Sequence, residues 1–423
     1  MTKLIDNFFL IFGVIIFLGF IAEVLFKKFK ISNIITLMLL GFIIGPLLGL
    51  ADVSDGGIIK SVYPIVGTLA FIIIMFDAGA KLNINRIMTT LPKATLFTIL
   101  VFVFNLVLLT LFLNYFIDWP FLEAALFSAV VGGISSPIVI SLVRNLPITD
   151  KVKEGLIFES TITDVLCVLT SVIIIQIIIN GAETLTINSI SVFFISTFSI
   201  SIVFGALAAI LWIAMLFKLP KGASNYILTM AMLFVVYALT EYSGGNGAIS
   251  VLIFGIFAGH LKEIGQFIVY EELNVIDSTF LNFHDEITFF VRTFFFVYLG
   301  LLISISYINP VTLFYSLLVL FIAVLVRIIA KFFVFPDLRN GDAIVVNTMV
   351  PRGLAAAVLA FYPLTYGIHL VNSFEEIVFI VILITNLFPS FIVYLYWNVM
   401  KKDDGSSGKS EQIKNDLNTL AVE

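Results

Sequence analysis

Thirteen long apolar runs follow one another from end to end of this chain, each about as long as a membrane helix. They lie at roughly 8–26, 33–50, 61–80, 94–116, 121–143, 155–180, 189–217, 225–242, 247–261, 284–307, 311–335, 342–364 and 374–399. In lipid every backbone polar group must find its partner within the protein, which admits only helices and closed barrels. The short alternating segments of a porin are absent, so the runs read as helices. Composition agrees: 60% of the 423 residues are hydrophobic, 12% are charged and 44 are Phe. A soluble domain is about a quarter charged. These values exclude a soluble enzyme, a disordered chain and a nucleic-acid binder. The single cysteine, Cys167, excludes a disulfide framework and a cysteine-based metal site.

The net charge of −5 decides little, because the placement of charge matters more than its sum. With the N-terminus outside, the inner loops hold Lys27, Lys28, Lys30, Lys81, Arg86, Lys93, Arg144, Lys151, Lys153, Lys218, Lys221, Lys262, Lys331, Arg339, Lys401 and Lys402. The outer side keeps Lys3 and Lys60. That imbalance predicts a multi-pass protein of the cell membrane with its C-terminus in the cytoplasm. The first run lacks a basic start and a small-residue cleavage site, so it is not read as a signal peptide. Residues 1–400 form one transmembrane unit, and the polar segment 401–423 is expected to be a short cytoplasmic tail. The acidic stretch 262–286 reads as a solvated inner loop.

A charge in mid-membrane costs about 2.5–3.5 kcal/mol on insertion scales, so each needs a reason. Glu159 and Asp164 fall in the sixth run, Arg292 opens the apolar part of the tenth, and Asp77 ends the third. Arg327 lies inside the eleventh run and Arg352 inside the twelfth. Glu159 and Asp164 are five residues apart, about 140° around a helix, and so need not share a partner. The set suggests one buried ion pair and one working carboxylate. Asp164 is the better worker, because an apolar helix follows it. A buried carboxylate near its titration point holds a proton or a hard monovalent cation, but not both. That competition is itself an exchange mechanism.

Helix breakers sit in two spans. The fifth run contains Gly132-Gly133-Ile134-Ser135-Ser136-Pro137, and the twelfth contains Pro351-Arg352-Gly353. Broken helices at corresponding places in a chain point to an inverted-repeat transporter with an ion site at the midplane. Freed carbonyls and the Ser135 and Ser136 hydroxyls are oxygen ligands of the kind that suit a hard cation. Glycines at 41, 45 and 49, and at 255 and 259, have the spacing that lets helices approach closely. His260, His284 and His369 are scattered and read as loop or interface residues. A phosphate-binding loop, a Ser-His-Asp set, a potassium-type filter and an arginine-repeat voltage sensor are all absent from the sequence. No catalytic residue and no cofactor is expected.

These residues together resemble the monovalent cation:proton antiporters of the NhaP type, which are related to the animal sodium/proton exchangers. Glu159-Ser160 followed by Asp164 is similar to the family's ES-x-x-N-D segment, and Val350-Pro351-Arg352-Gly353-Leu354-Ala355 to its R-G segment. Arg327, the stretch Arg292 to Gly300, and Gly41 to Pro46 resemble three further family motifs. The likeness covers nearly all of residues 8–400. It implies an all-α fold of about thirteen helices with inverted repeats, usually a homodimer, moving by an elevator-like shift of a core. It implies Asp164 as the shared site for a proton and Na⁺, helped by the Ser160 hydroxyl, with electroneutral exchange; the Thr163, Ser160, Ser135 and Ser136 oxygens are the expected cation ligands around it. It implies Glu159 paired with a core arginine, Arg327 first and Arg352 second. Two positions depart from the pattern. Thr163 stands where the family usually has Asn, and Ser135-Ser136-Pro137 replaces T-D-P, so an acidic group beside the unwound turn is missing. Asp77 is a candidate to replace it. The choice among Na⁺, Li⁺ and K⁺ is open at this point. The alternatives to an antiporter are a channel-like potassium efflux protein and a sodium-coupled symporter of an organic solute.

Overall fold

The computed structural model describes residues 33–48, 58–81, 92–180 except 144, 145 and 147, 187–218, 224–260, 278–302, and 309–392 except 339, 369, 372 and 373. It also describes six positions of the first run, Gly13, Ile16, Phe17, Gly19, Phe20 and Ile21, all helical. The tail 401–423, most of the loop 262–286, Gly49 and His369 lie outside the described residues. Among those described there is helix and no strand.

In chain order the helices are α1 (Asn33–Phe42, continued by a π turn at Ile43–Leu47), α2 (Ile58–Lys81), α3 (Pro92–Phe116), α4 (Phe121–Val130) and α5 (Ser136–Val143). They continue as α6 (Asp150–Asn180), α7 (Ile187–Lys218), α8 (Ser224–Tyr242), α9 (Gly247–Gly259), α10 (Ser278–Leu302) and α11 (Pro310–Val334). The last are α12 (Asn340–Thr348), α13 (Leu354–Phe361, extended by a 3₁₀ turn at Tyr362–Tyr366) and α14 (Phe374–Ile392). By length and apolarity alone, α3, α6, α11 and α14 and the stretch Ile195–Leu216 of α7 are each long enough to cross a bilayer. Local chemistry fixes several starts. At α11, Asn309 accepts from the N–H groups of Val311 and Thr312 at 3.0 and 2.9 Å, and Pro310 occupies the first position, where its missing N–H costs nothing.

The fifth and twelfth runs are each split, as expected. α4 and α5 flank the non-helical residues 131–135, and α12 and α13 flank 349–353. One boundary differs from the sequence reading. α10 begins at Ser278, so His284, Asp285 and Glu286 lie on a helix rather than in a loop. In its first turns the apolar residues Phe280, Leu281 and Phe283 are interrupted by Asn282 and by His284, Asp285 and Glu286, so a search for unbroken apolar runs does not see them.

The helices form two bundles. α3, α4, α5, α6, α11, α12 and α13 pack on one another, joined by α14 through Trp119, Phe127 and Phe374. α1, α2, α7, α8, α9 and α10 make the second, with α9 between α2 and α7, and α10 on α1. Small residues allow these crossings. A Cβ added at Gly41 would overlap the Val297 carbonyl of α10, and one at Gly255 would lie 2.5 Å from the Phe76 carbonyl of α2. The glycine spacings thus serve packing within one chain. α2 also faces the first bundle, against α13, its 3₁₀ extension and α6.

Candidate functional site

The two unwound segments cross and bond to each other. Ser135 N–H donates to the Pro351 carbonyl at 2.8 Å. Arg352 Nη1 donates to the Gly133 carbonyl. Gly353 packs so closely on Ser135 that a Cβ there would overlap the Ser135 hydroxyl. The crossing is therefore closed by a backbone hydrogen bond and by the Ser135 side chain, which any side chain at 353 would strike. Each break frees carbonyls at one helix end and N–H groups at the next. Arg352 answers a freed carbonyl after α4, where the helix dipole is negative. Pro137 sits in the first turn of α5, where a missing N–H is tolerated.

α6 passes the crossing and presents two stripes of polar residues. Glu159 and Thr163 are spaced i, i+4 and are each 1% exposed. Ser160 and Asp164 form the neighbouring stripe, Ser160 fully buried and Asp164 half-buried. Glu159 is held by Arg327, whose Nη1 and Nη2 donate to its two oxygens at 2.5 and 2.9 Å. Arg327 Nε donates to the Val346 carbonyl at 2.6 Å, and the guanidinium carbon lies 5.4 Å from the Phe97 ring centre. Such a bidentate pair with its remaining donor satisfied is the arrangement that lets two charges stay buried. Of the two arginines open to Glu159, Arg327 makes the contact and Arg352 serves the unwound turn. The second choice fails because the Arg352 backbone is itself tied down: its N–H donates to Thr385 Oγ1 at 3.2 Å, and its carbonyl accepts from Asn386 Nδ2 at 2.8 Å.

Asp164 stands at the crossing. Ser136 Oγ, in the first turn of α5, donates to Asp164 Oδ2 at 2.9 Å. Thr163 Oγ1 accepts from Ile134 N–H at 3.1 Å and donates to the Ser160 carbonyl at 3.3 Å. Ser160 Oγ donates to the Ile157 carbonyl at 2.8 Å. The Ser136 hydroxyl thus keeps lone pairs for a cation beside a carboxylate, while the Thr163 hydroxyl is a strut between α6 and the turn. Asp77 and Arg292 belong to the other bundle. Asp77 Oδ1 meets His284 Nε2 at 3.0 Å, and the other ring nitrogen of His284 meets the Tyr226 hydroxyl at 3.2 Å. His284 is therefore a buried helix residue, not a loop residue. Arg292 is half-buried, its guanidinium 5.9 Å from the Phe289 ring centre.

The sequence reading weighed charges and missed Thr385 and Asn386, which clamp the backbone of Arg352. Both are fully buried. The signal was present: an Asn inside an apolar span needs a partner as a charge does.

The family described as sodium/hydrogen exchanger, transmembrane, matches residues 13–397. The K(+)/H(+) antiporter NhaP2 of Shewanella sp. (strain ANA-3) is 24% identical over 396 residues, 90% of this chain and 65% of that protein. The K(+)/H(+) antiporter NhaP of Alkalimonas amylolytica is 22% identical over 395 residues, 91% of this chain and 65% of that protein. The chain thus spans about 65% of the length of these curated relatives. The solved structure of the sodium proton antiporter MjNhaP1 from Methanocaldococcus jannaschii at pH 8 superposes with a TM-score of 0.73 at 19% identity, covering 91% of this chain and 96% of that one. At that identity the likeness is one of fold.

Proposed function

The chain belongs to the sodium/hydrogen exchanger family, and from that premise we propose that it is a secondary active antiporter in which Asp164 carries either a monovalent cation or a proton. The observation that supports this most is the division of labour on α6. Glu159 is neutralised by Arg327, whereas Asp164, five residues on, accepts from the Ser136 hydroxyl at the crossing of two broken helices. In this reading the ionised Asp164 takes a dehydrated cation such as Na⁺, with Ser136, Ser160 and Ser135 oxygens, freed carbonyls and water completing the shell. Thr163 holds the turn. A proton arriving from the other side displaces the cation, so the loaded carboxylate is neutral in either form. One cation then exchanges for one proton, electroneutrally. Residues 1–400 are the exchanger, 401–423 a cytoplasmic tail, the N-terminus lies outside the plasma membrane, and the working unit is a homodimer.

Two observations favour K⁺ as a second reading of the cation. The two relatives named above are K⁺/H⁺ antiporters, and the unwound turn carries Ser136 where T-D-P is usual in the family. With one carboxylate fewer, the site pulls less strongly on a small ion. The experiment is proton flux in liposomes of purified protein with a lumenal pH dye, adding Na⁺, Li⁺, K⁺ or choline in turn, wild type beside Asp164→Asn. Alkalinisation with one or more of the metal cations, absent in the variant, supports the antiporter and names its ion. The half-saturating cation concentration is expected to rise as the medium is acidified, because both ligands compete for one group. Equal silence from both proteins with every cation would sink the reading in favour of a channel or a solute symporter.

A further inference from the structure

The side-chain hydrogen bonds described so far each stay inside one bundle. One cluster does not. Glu241, at the C-terminal end of α8, is half-buried. Its Oε1 accepts from Gly247 N–H, the first residue of α9, at 2.8 Å. Its Oε2 accepts from the Tyr366 hydroxyl at 3.4 Å, and Tyr366 belongs to the 3₁₀ turn of the other bundle. The Tyr366 and Tyr362 hydroxyls lie 2.9 Å apart. Tyr237 of α8 lies beside the Tyr362 hydroxyl. The buried Tyr362 ring packs on Phe71 of α2 with centres 4.7 Å apart. A carboxylate and three phenols thus join α8 and α2 to the end of α13.

Position gives this cluster its meaning. α13 starts at the crossing, where Gly353 meets Ser135, and its extension ends at Tyr366. Site and cluster are therefore the two ends of one short rod, about 20 Å long. Gly367 follows with φ of +69°, in the left-handed region, and its N–H donates to the Leu364 carbonyl at 3.0 Å, which fixes the rod's end. Movement of the crossing relative to α2 and α8 must carry Tyr362 and Tyr366 with it. Carboxylate and phenol groups at a helix seam in lipid are costly unless paired, so they favour the one arrangement in which they meet. On the proposed orientation the C-terminal ends of α8 and α13 lie on the outer side.

We propose that Glu241, Tyr366 and Tyr362 form an outer latch between the two bundles, made while the outer approach to Asp164 is closed and broken each time the site opens outward. This rests on the antiporter reading. The three are positioning residues: they set the balance between the two facing states.

The test uses full-length protein in liposomes. Glu241→Cys with Tyr366→Cys is bridged by a bifunctional, reductant-cleavable thiol reagent, Cys167 being buried out of reach. The control is Glu123→Cys with Val371→Cys, a pair within the first bundle, where Glu123 accepts from Val371 N–H at 2.6 Å. Bridging is expected to stop exchange at 241/366 and not at 123/371, with reductant restoring it. Undiminished exchange in the bridged 241/366 protein overturns the latch. Failure of the unbridged wild type to exchange at all overturns the antiporter reading, and the latch with it. Tyr366→Phe is the mild variant. Removing one cross-seam hydrogen bond is expected to change the ratio of outer to inner half-saturating cation concentrations by about threefold to tenfold. A purely structural role would lower yield or melting temperature and leave that ratio alone, and an unchanged ratio counts against the proposal.

Discussion

The two bundles share one solvent and one set of residue types, yet they meet the constraint of lipid differently. In the bundle of α1, α2 and α7–α10 the described helices have no unwound break like those at 131–135 and 349–353. Hydroxyls such as those of Ser201 and Thr240 bond back to carbonyls four residues earlier, and helices meet through glycine. The other bundle carries both breaks, the buried Glu159–Arg327 pair and the enclosed Arg352. The buried arginines and both breaks are concentrated around the proposed ion site. The bundle of α1, α2 and α7–α10 reads as a frame and the bundle with the two breaks as the part that does chemistry, with the Glu241 cluster at the boundary.

That contrast can be tested, and its largest consequence is for Asp164. Asp164→Asn is expected to reduce cation-driven proton flux to the level of empty liposomes while the melting temperature moves by no more than about 2 °C. A large loss of stability would make Asp164 a structural residue like Glu159.

Next comes the ion pair. Arg327→Met strands a buried carboxylate and is expected to cost about 3–5 kcal/mol, read as a fall in melting temperature in detergent. Adding Glu159→Leu should recover most of it. If the double variant melts no higher than the single one, the two residues are not a pair in the membrane.

Smaller and more telling is a matched pair of glycine substitutions. Gly353→Ala and Gly255→Ala each force a methyl into a tight contact and are expected to cost about 1–3 kcal/mol. Only the first should also change the half-saturating cation concentration, and Ser135→Gly should relieve it by removing the side chain it strikes. Equal transport effects from both would erase the distinction between frame and moving part.

The smallest effect is at Ser136. Ser136→Ala removes one ligand and one hydrogen bond of about 1 kcal/mol and should shift the half-saturating cation concentration about fivefold without loss of maximal rate. Ser136→Asp, restoring the acidic group, is expected to move preference toward smaller cations.

Much of the architecture was legible because lipid leaves few choices. Apolar length marks helices, and glycine with proline inside a span marks a break, so α3–α7, α9 and α11–α13 fall close to the runs that predicted them. The start of α10 was not legible, because Asn282 and the polar run His284 to Glu286 interrupt its first turns. Of the candidate site, Glu159, Asp164 and the breaks stood out as residues that lipid penalises. Thr385, Asn386 and the tyrosines did not, since uncharged side chains pass unnoticed in an apolar run until their partners are known.

The sequence by itself determined that this chain must live in lipid, that two spans must be broken, and that two carboxylates on one helix sit about 140° apart. Those follow from residue types and short spacings, which need no knowledge of neighbours. Only the tertiary structure decided which arginine neutralises Glu159, that Arg352 serves the Gly133 carbonyl, and that Tyr366 reaches Glu241 across the seam. These partners lie 168, 219 and 125 residues apart in the chain, and no local rule selects among distant candidates of equal charge. The choice is made where helices cross, by which donor can reach an oxygen that would otherwise be buried unpaired.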